Sequence, residues 1–327
     1  MNIAYLNSPA YDYLTATLIE GLSELGHKVY TSENSNYGIA LPKKRFIEMA
    51  NVADLFLIGS NRNVRYHYLK FISNVKSIFV DGSDSSFLEM NFKFPVNLIF
   101  KREYLNGLNL QKSLIFPLPF AAEKRYFNRG IKKKDIDISF LAANNNFLRD
   151  SIKNILDNKF QGYSFTEHTG EISYSSSSGL PHENPVYFDV LQRSKIVINV
   201  PGRGWDCGRF WEAISNKALV LTYKLEIEVP DPFVENSHIL NFNSLEQLEE
   251  RIKFCFDNPA LIMRMSEEAY NHLVLFHTTC KRAEYFLKTI DLNYRPGIFY
   301  NSKNNIIKEN ANLIAKIKAI MISKFRK

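Results

Sequence analysis

Short apolar runs alternate with helical stretches along this chain, and no other sequence feature constrains its fold as strongly. Residues 2–7 read as a strand, the next stretch carries apolar residues at helical spacing, and Gly26 ends the helix as a residue free to adopt a left-handed conformation. A second strand begins at His27. The order is strand, helix, strand, and a right-handed crossover makes the two strands parallel.

The same alternation continues in two series, separated by a charged, glycine-containing stretch at residues 129–136. Strands are predicted at 53–60, 76–83, 95–100, 137–143, 161–168, 195–200, 218–223 and 238–242, and helices at 146–158, 185–194, 207–217 and, as three stretches, over 243–290. Continuous apolar strands are typical of sheets that helices cover on both faces. The sequence therefore predicts an α/β protein with one parallel-sheet domain in residues 1–130, a second in 131–293, and a basic amphipathic segment in 294–327.

Composition and charge exclude several classes of protein. The 327 residues carry a net charge of +7, but +6 of it lies in residues 303–327, so the body lacks the basic face that a nucleic-acid-binding domain requires. No run reaches the roughly 18 apolar residues of a membrane span, and the N-terminus lacks the basic and apolar regions of a signal peptide. Three separated cysteines form no complete disulfide framework. We expect a reduced, cytoplasmic protein.

The C-terminal tail carries apolar residues at steps of three and four and a lysine-rich polar face, which predicts one amphipathic helix. Two interpretations are open. The helix packs on the body or on a second copy of the chain, or it lies on an anionic membrane surface. The second interpretation would make the protein peripheral on the inner face of the membrane.

The segment of residues 194–222 carries most of the information about function. It reads as strand, glycine loop, helix and strand, and Gly202 and Gly204 in the loop let the backbone turn sharply and approach a ligand. The helix start that follows favours an anion such as phosphate, because its first N–H groups are free. Arg203 and Arg209 can add cationic contacts to phosphate oxygens.

Two common phosphate-binding patterns do not fit this segment. The glycines run G-x-G-x-x-x-G, one residue too long for the dinucleotide-binding fingerprint, and no Gly-Lys-Ser/Thr of a P-loop occurs. An ordinary strand–helix turn is the alternative interpretation. In that case Arg209 and Glu212, three residues apart on one helix face, would form a surface ion pair.

The segment resembles the donor-site motif of GT-B glycosyltransferases, especially the bacterial group-1-type and spore-maturation-protein-like enzymes, in which a G-x-G…R-x-x-E-A block precedes a small strand. Other parts of the chain resemble the same enzymes, and the similarity spans about residues 1–290. These parts are residues 19–30, 97–105, 113–123 and 135–156.

The resemblance implies two Rossmann-like domains that face a cleft, with a nucleotide-sugar donor in the C-terminal domain and the acceptor facing the N-terminal one. It implies that Arg209 binds the donor phosphate, Glu212 binds ribose or sugar hydroxyls, and Gly202 and Gly204 form the close-approach loop. It also implies no essential metal, and no cofactor besides the nucleotide-sugar co-substrate. The second glutamate of the retaining enzymes is missing, because Val220 stands eight residues after Glu212. Retaining and inverting chemistry both stay open.

An inverting enzyme requires a base near the acceptor hydroxyl. Asp12, Asp81 and Asp84 follow predicted strands, where loops line the crevice of an open α/β sheet. The alternatives are that Asp12 caps the first helix and that Asp84 forms a turn. His168 and His182 flank a polar loop and are either ligand contacts or simply exposed.

Asp135 and Asp137 mimic the DxD metal signature of the other glycosyltransferase fold. They precede a strand that reads as buried and follow three lysines, so we expect no metal there.

We therefore expect a glycosyltransferase that moves a sugar from a nucleotide-sugar donor to a glycan, lipid-linked or protein acceptor, in surface glycoconjugate assembly. Two alternatives remain. One is a non-catalytic GT-B-like binding or scaffold protein, and the other is a nucleotide-sugar epimerase, which can share this fold.

Overall fold

The computed structural model describes residues 1–34, 38–60, 63–73, 76–88, 90, 93–110, 114–127, 132–142, 146–168 and 185–300. The side chains of residues 167, 168 and 185 are not among the described parts. The predicted tail helix over residues 303–327 lies outside the described residues, as does His182.

The first half of the chain forms a seven-stranded parallel sheet. Its strands are β1 (Asn2–Leu6), β2 (Lys28–Thr31), β3 (Ile39–Ala40), β4 (Leu55–Gly59), β5 (Ser77–Asp81), β6 (Leu98–Lys101) and β7 (Ile115–Pro117). Their order in the sheet is β3-β2-β1-β4-β5-β6-β7. The helices of this half are α1 (Tyr13–Glu24) and α2 (Lys43–Val52), with short 3-10 helices at Tyr66–Phe71 and Lys124–Tyr126.

The second half forms a five-stranded parallel sheet. Its strands are β8 (Ile136–Ala142), β9 (Ser164–His168), β10 (Ser194–Asn199), β11 (Leu219–Tyr223) and β12 (Ile239–Phe242), in the order β12-β11-β10-β8-β9. The helices are α3 (Phe147–Lys159), α4 (Pro185–Arg193), α5 (Gly208–Ser215), α6 (Leu245–Asp257), α7 (Pro259–Phe276) and α8 (Thr279–Asn293). The predicted fold class, two parallel α/β sheets, is confirmed.

Two strands and one α-helix were absent from the sequence prediction. Strand β3 has only two residues, both exposed, so it carries no apolar signal. Strand β7 ends at Pro117, which is tolerated because β7 is an edge strand. Helix α2 buries only Phe46 and Ala50, so its helical periodicity is weak. The left-handed helix end predicted at Gly26 is confirmed by a φ of +80°.

Helix α8 lies within the predicted domain 131–293 but packs on the first sheet. The chain returns there at His277, whose carbonyl accepts a 2.9 Å hydrogen bond from Ala122 N–H. The Phe286 ring then lies 4.4 Å from that of Phe100. The boundaries of the predicted domains stay a prediction. None of the described helices has the length and apolar content needed to cross a bilayer.

Two buried carboxylates join the sheets. Glu103, in the turn after β6, accepts hydrogen bonds from the backbone N–H groups of Trp205 and Asp206 at 2.8 and 3.2 Å. The side chain of Asp206 accepts from Phe120 N–H at 2.6 Å and from Trp211 Nε1 at 2.8 Å. The loop before α5 is therefore fixed to the segments that follow β6 and β7.

Arginines compensate these carboxylates. Arg102 Nη2 lies 3.2 Å from Glu103 Oε1. Burial raises the pKa of Glu103 to about 7, although the charge of Arg102 and the backbone hydrogen bonds lower it. Burial also raises the pKa of Asp206, against the charges of Arg102 and Arg282.

Replacing Gly21 with alanine should destabilise the protein, although alanine normally favours a helix by about 0.5–1 kcal/mol. A Cβ at Gly21 would lie 2.0 Å from the carbonyl oxygen of Thr279, so α1 and α8 would have to separate. We expect the free energy of unfolding, measured with urea, to fall by about 1–3 kcal/mol. Lys44→Ala, at an exposed position of α2, is the control and should be close to neutral. Equal effects of the two substitutions would contradict this account of the helix contact.

Replacing Glu103 with glutamine should change the pH dependence of stability. Because its folded pKa of about 7 lies above the ordinary 4.5, the folded chain binds a proton in this range that the unfolded chain does not. The stability of the parent relative to Glu103→Gln should therefore fall by roughly 3 kcal/mol as pH rises from about 4.5 to about 7, and then stay level. Urea unfolding across this range measures the difference, with Glu48→Gln at an exposed position of α2 as the matched control. A constant difference would show that Glu103 is ionised throughout.

Candidate functional site

The strand, glycine loop, helix and strand predicted for residues 194–222 are present as β10, a loop, α5 and β11. The loop leaves the carboxyl end of β10, and the Gly202 N–H donates to the Gly204 carbonyl at 3.0 Å. Cys207 stands at the N-cap of α5 and makes no side-chain capping hydrogen bond. No side chain of the cap residue therefore occupies the first N–H groups of α5.

Protein side chains explain why two loop positions are glycine. A Cβ at Gly202 would lie 3.0 Å from Arg149 Nη2, and one at Gly204 would lie 2.4 Å from Glu103 Oε1. Neither glycine has a positive φ. The sequence prediction assigned them to a sharp turn and close approach to a ligand, whereas the structure shows close approach of Arg149 and Glu103.

Two buried guanidinium groups lie beside the loop. Arg209, in the first turn of α5, is 9% exposed and donates to the carbonyl of Ile198 at 3.4 Å. Its Nε has no hydrogen-bond partner among the described residues, and it forms no ion pair with any described carboxylate. Arg149, in the first turn of α3, is 6% exposed, and its Nη2 lies 3.5 Å from the carbonyl of Val200.

The charge of Arg209 destabilises the charged form of Arg149. Burial, and then the charge of Arg209, lower the pKa of Arg149 to about 10. An anion between them would relieve this repulsion.

Sequence reasoning missed Arg149, although a signal was present. Arg149 occupies the first turn of the helix after β8, as Arg209 does after β10. Asn146 caps that helix and donates from Nδ2 to the carbonyl of Pro201 at 3.3 Å, which ties the start of α3 to the glycine loop.

Glu212 is buried among tyrosines. It accepts hydrogen bonds from Tyr187 and Tyr126, and a Cβ at Gly208 would lie 3.0 Å from its Oε1. Burial raises the pKa of Glu212, and those hydrogen bonds and the charges of Arg125 and Arg209 lower it. The alternative interpretation of Arg209 and Glu212 as a surface ion pair is wrong, because both side chains are buried and no ion pair joins them.

The remaining donor-site residue, Arg203, is exposed in the loop. Its predicted contact with phosphate stays a prediction, as do the ligand roles predicted for Gly202, Gly204, Arg209 and Glu212.

The three candidate bases have different surroundings. Asp12 caps α1, with Oδ1 accepting from Thr15 N–H at 2.7 Å. Asp81 is fully buried in an ion pair with Lys101 at 2.8 Å, which makes it a structural residue. Asp84 is half-exposed and pairs with Arg102. The base role of Asp12 or Asp84 stays a prediction.

Asp135 and Asp137 do not converge. Asp135 pairs with Arg193 at 2.8 Å, and Asp137 pairs with Lys195 at 2.6 Å. Within the described ranges, no group of three or more His, Cys, Asp or Glu side chains is arranged to hold a metal ion. The side chain of His168 lies outside the described residues.

Comparisons with known proteins agree with this architecture. Residues 152–288, which include the glycine loop and α5, match the glycosyl transferase-like family. No curated protein sequence matches the chain.

Solved structures with the same fold include two that were determined in complex with UDP or UDP-glucose. An α-glucosyltransferase in complex with UDP and a 13-mer DNA has a TM-score of 0.60 at 12% identity, over 89% of this chain and 99% of that chain. HepE of Anabaena in complex with UDP-glucose has a TM-score of 0.57 at 10% identity, over 89% and 100%. Sucrose-phosphate synthase of Thermosynechococcus elongatus has a TM-score of 0.55 at 10% identity, over 89% and 98%.

At these identities the likeness shows the fold, and the family match covers the segment that carries the candidate site. The chain therefore has the GT-B fold of glycosyltransferases, and its residues 152–288 match the glycosyl transferase-like family.

Proposed function

We propose that this protein transfers a sugar from a nucleotide-sugar donor to a glycan, lipid-linked or protein acceptor, in the cytoplasm and in the assembly of a surface glycoconjugate. The observation that carries the proposal is the pair of buried guanidiniums of Arg149 and Arg209 beside the glycine loop. Their like charges favour an anion, and a diphosphate supplies two adjacent negative groups.

The same groups suit the chemistry of glycosyl transfer. Negative charge develops on the diphosphate as the bond to the sugar breaks, and positioned cations and helix N–H groups stabilise it without proton transfer. Arg149 and Arg209 both stand in first turns, where the helix dipole also favours negative charge. A metal ion is not needed for this role.

Glu212 supports recognition of donor hydroxyls. Its carboxyl group is three residues from Arg209 on α5 and is oriented by Tyr187 and Tyr126, so it would accept from hydroxyls of the ribose or the sugar. On the acceptor side, Asp12 is the better candidate base. The carboxylate of Asp84 forms an ion pair with Arg102, whereas Asp12 uses only Oδ1 to cap α1.

The structural neighbours suggest which donor to test first. HepE binds UDP-glucose, and the α-glucosyltransferase binds UDP, so we propose a UDP-sugar as the first donor. That second neighbour binds DNA, but a likeness in fold does not transfer its acceptor to this chain. We keep a glycan, lipid-linked or protein acceptor.

The two alternatives give different products. Incubation with a donor yields transfer or slow hydrolysis for a glycosyltransferase, no turnover for a binding or scaffold protein, and an isomerised sugar nucleotide for an epimerase. Analysis of the nucleotide products by chromatography distinguishes the three. Either of the last two results would refute the proposed function.

Replacing Arg209 or Arg149 with alanine should weaken UDP binding by about ten- to a hundredfold, because each loses a charge-assisted contact worth roughly 1.5–3 kcal/mol. Uridine should bind almost unchanged, since the lost contact is to phosphate. Arg209→Lys should recover only part of the affinity, because lysine lacks the planar two-pronged geometry. Calorimetry on folded variants measures this, with the exposed Arg264→Ala on α7 as the control. Parental UDP affinity in both variants would show that the diphosphate binds elsewhere.

Donor turnover should be largely unchanged in EDTA, because Arg149, Arg209 and helix N–H groups neutralise the diphosphate. The initial rate of UDP release, measured before and after chelation, tests this. A rate that is lost in EDTA and restored by manganese or magnesium would instead assign the phosphate charge to a metal ion.

A further inference from the structure

A cavity of about 710 Å³ opens where the strands of the second sheet begin, which we call its amino edge. The glycine loop lies at the opposite, carboxyl edge, where the strands end. Lys134 and Lys217, which precede β8 and β11, line it together with Lys195 at the start of β10. Its volume falls within the roughly 300–1,000 Å³ of small-molecule sites. None of the residues discussed for the donor site lines it.

The walls of this cavity are apolar. Phe256 lies 6.1 Å from the Phe160 ring and 5.3 Å from the Tyr163 ring. Ile262 is buried beside them, and Met263 is 70% exposed. Such walls suit a hydrocarbon chain, which gains free energy when it leaves water.

Four lysines and one carboxylate, Asp137, supply the charge of the cavity. Three of the lysines form ion pairs: Lys159 with Glu249, Lys195 with Asp137 and Lys217 with Glu267. These pairs leave the fourth, Lys134, as the ammonium that no described carboxylate compensates.

Lys134 is held in place but is not saturated. Its Nζ donates to the carbonyl of Asn216 at 2.6 Å, and an ammonium has three donors. Burial lowers the pKa of Lys134 to about 8. An anionic group beside Nζ would accept the remaining donors and stabilise the charge.

We propose that this cavity binds a single-chain anionic amphiphile, an acyl chain that ends in a carboxylate or a phosphate. The chain would lie against Phe160, Tyr163 and Phe256, and the anionic head would contact Lys134. A free amphiphile shares this chemistry with one acyl chain and the phosphate of a membrane phospholipid. The proposal does not depend on transfer activity, because the cavity and the donor site lie at opposite edges of the sheet.

Calorimetry with the full chain tests the proposal, with laurate and dodecyl phosphate as probes below their micelle concentrations. We expect both to bind, and Lys134→Gln to weaken them by about ten- to a hundredfold. Lys288→Gln, at an exposed position of α8, is the matched control and should bind as the parent does.

Proton uptake separates a direct contact from a structural role of Lys134. Near pH 8.5, above its pKa of about 8, much of Lys134 is neutral, so a bound anion should draw a proton onto it. The binding enthalpy should then vary with the ionisation enthalpy of the buffer. This variation should disappear in Lys134→Gln and persist in Lys288→Gln.

A second variant changes an exposed residue at the opening of the cavity, where a substitution should not affect folding. Met263→Glu places a carboxylate at an exposed helix position, so it should weaken the binding of laurate without unfolding the protein.

Vesicles of phosphatidylglycerol form the second arm of the test. Lys134-dependent binding of vesicles without laurate binding would assign the site to a membrane lipid, and laurate binding would assign it to a free amphiphile. The proposal is overturned if no probe binds, if uncharged dodecyl maltoside binds as tightly as laurate, or if neither variant weakens binding.

Discussion

The buried carboxylate of Glu103 holds the glycine loop against the first sheet by accepting the N–H groups of Trp205 and Asp206. Asp206 in turn accepts Phe120 N–H and Trp211 Nε1, so one short loop is fixed from three directions. A buried carboxylate is costly unless hydrogen bonds and a cation compensate it. Arg102 and Arg282 provide that charge, and the position of the loop therefore depends on this junction.

The buried charges beside the glycine loop are not paired in the way that the charges at this junction are. At the junction, arginines face carboxylates and the pairs are self-contained. Beside the loop, Arg209 faces Arg149 instead, and no described carboxylate pairs with Arg209. Two like charges that are buried together destabilise the folded protein, and an anionic ligand that binds between them would stabilise it. This contrast separates the structural charges of the domain junction from those of the proposed donor site.

The two edges of the second sheet carry different chemical groups. At the carboxyl edge, N–H groups and guanidiniums lie in the loops and at the helix starts, and these groups suit phosphate. At the amino edge, Lys134 donates to the carbonyl of Asn216, the residue that follows α5, and lines a cavity with apolar walls. The two edges differ because the strands are parallel, so that all their amino ends lie at one edge of the sheet and all their carboxyl ends lie at the other. The two proposed sites can therefore be tested independently.

The sequence by itself determined the elements, because apolar runs, helical spacing and Gly26 act over a few residues. Nearly all the long strands and helices lie where the periodicity predicts them, and Arg209 and Glu212 became candidates because they lie on the helix that follows the glycine loop. Only the tertiary structure decided which distant residues meet that loop. Glu103 is about a hundred positions from Trp205, and its approach depends on how the two sheets pack. Arg149 reaches the loop because β8 and β10 are neighbours in the sheet, a pairing that no local pattern encodes.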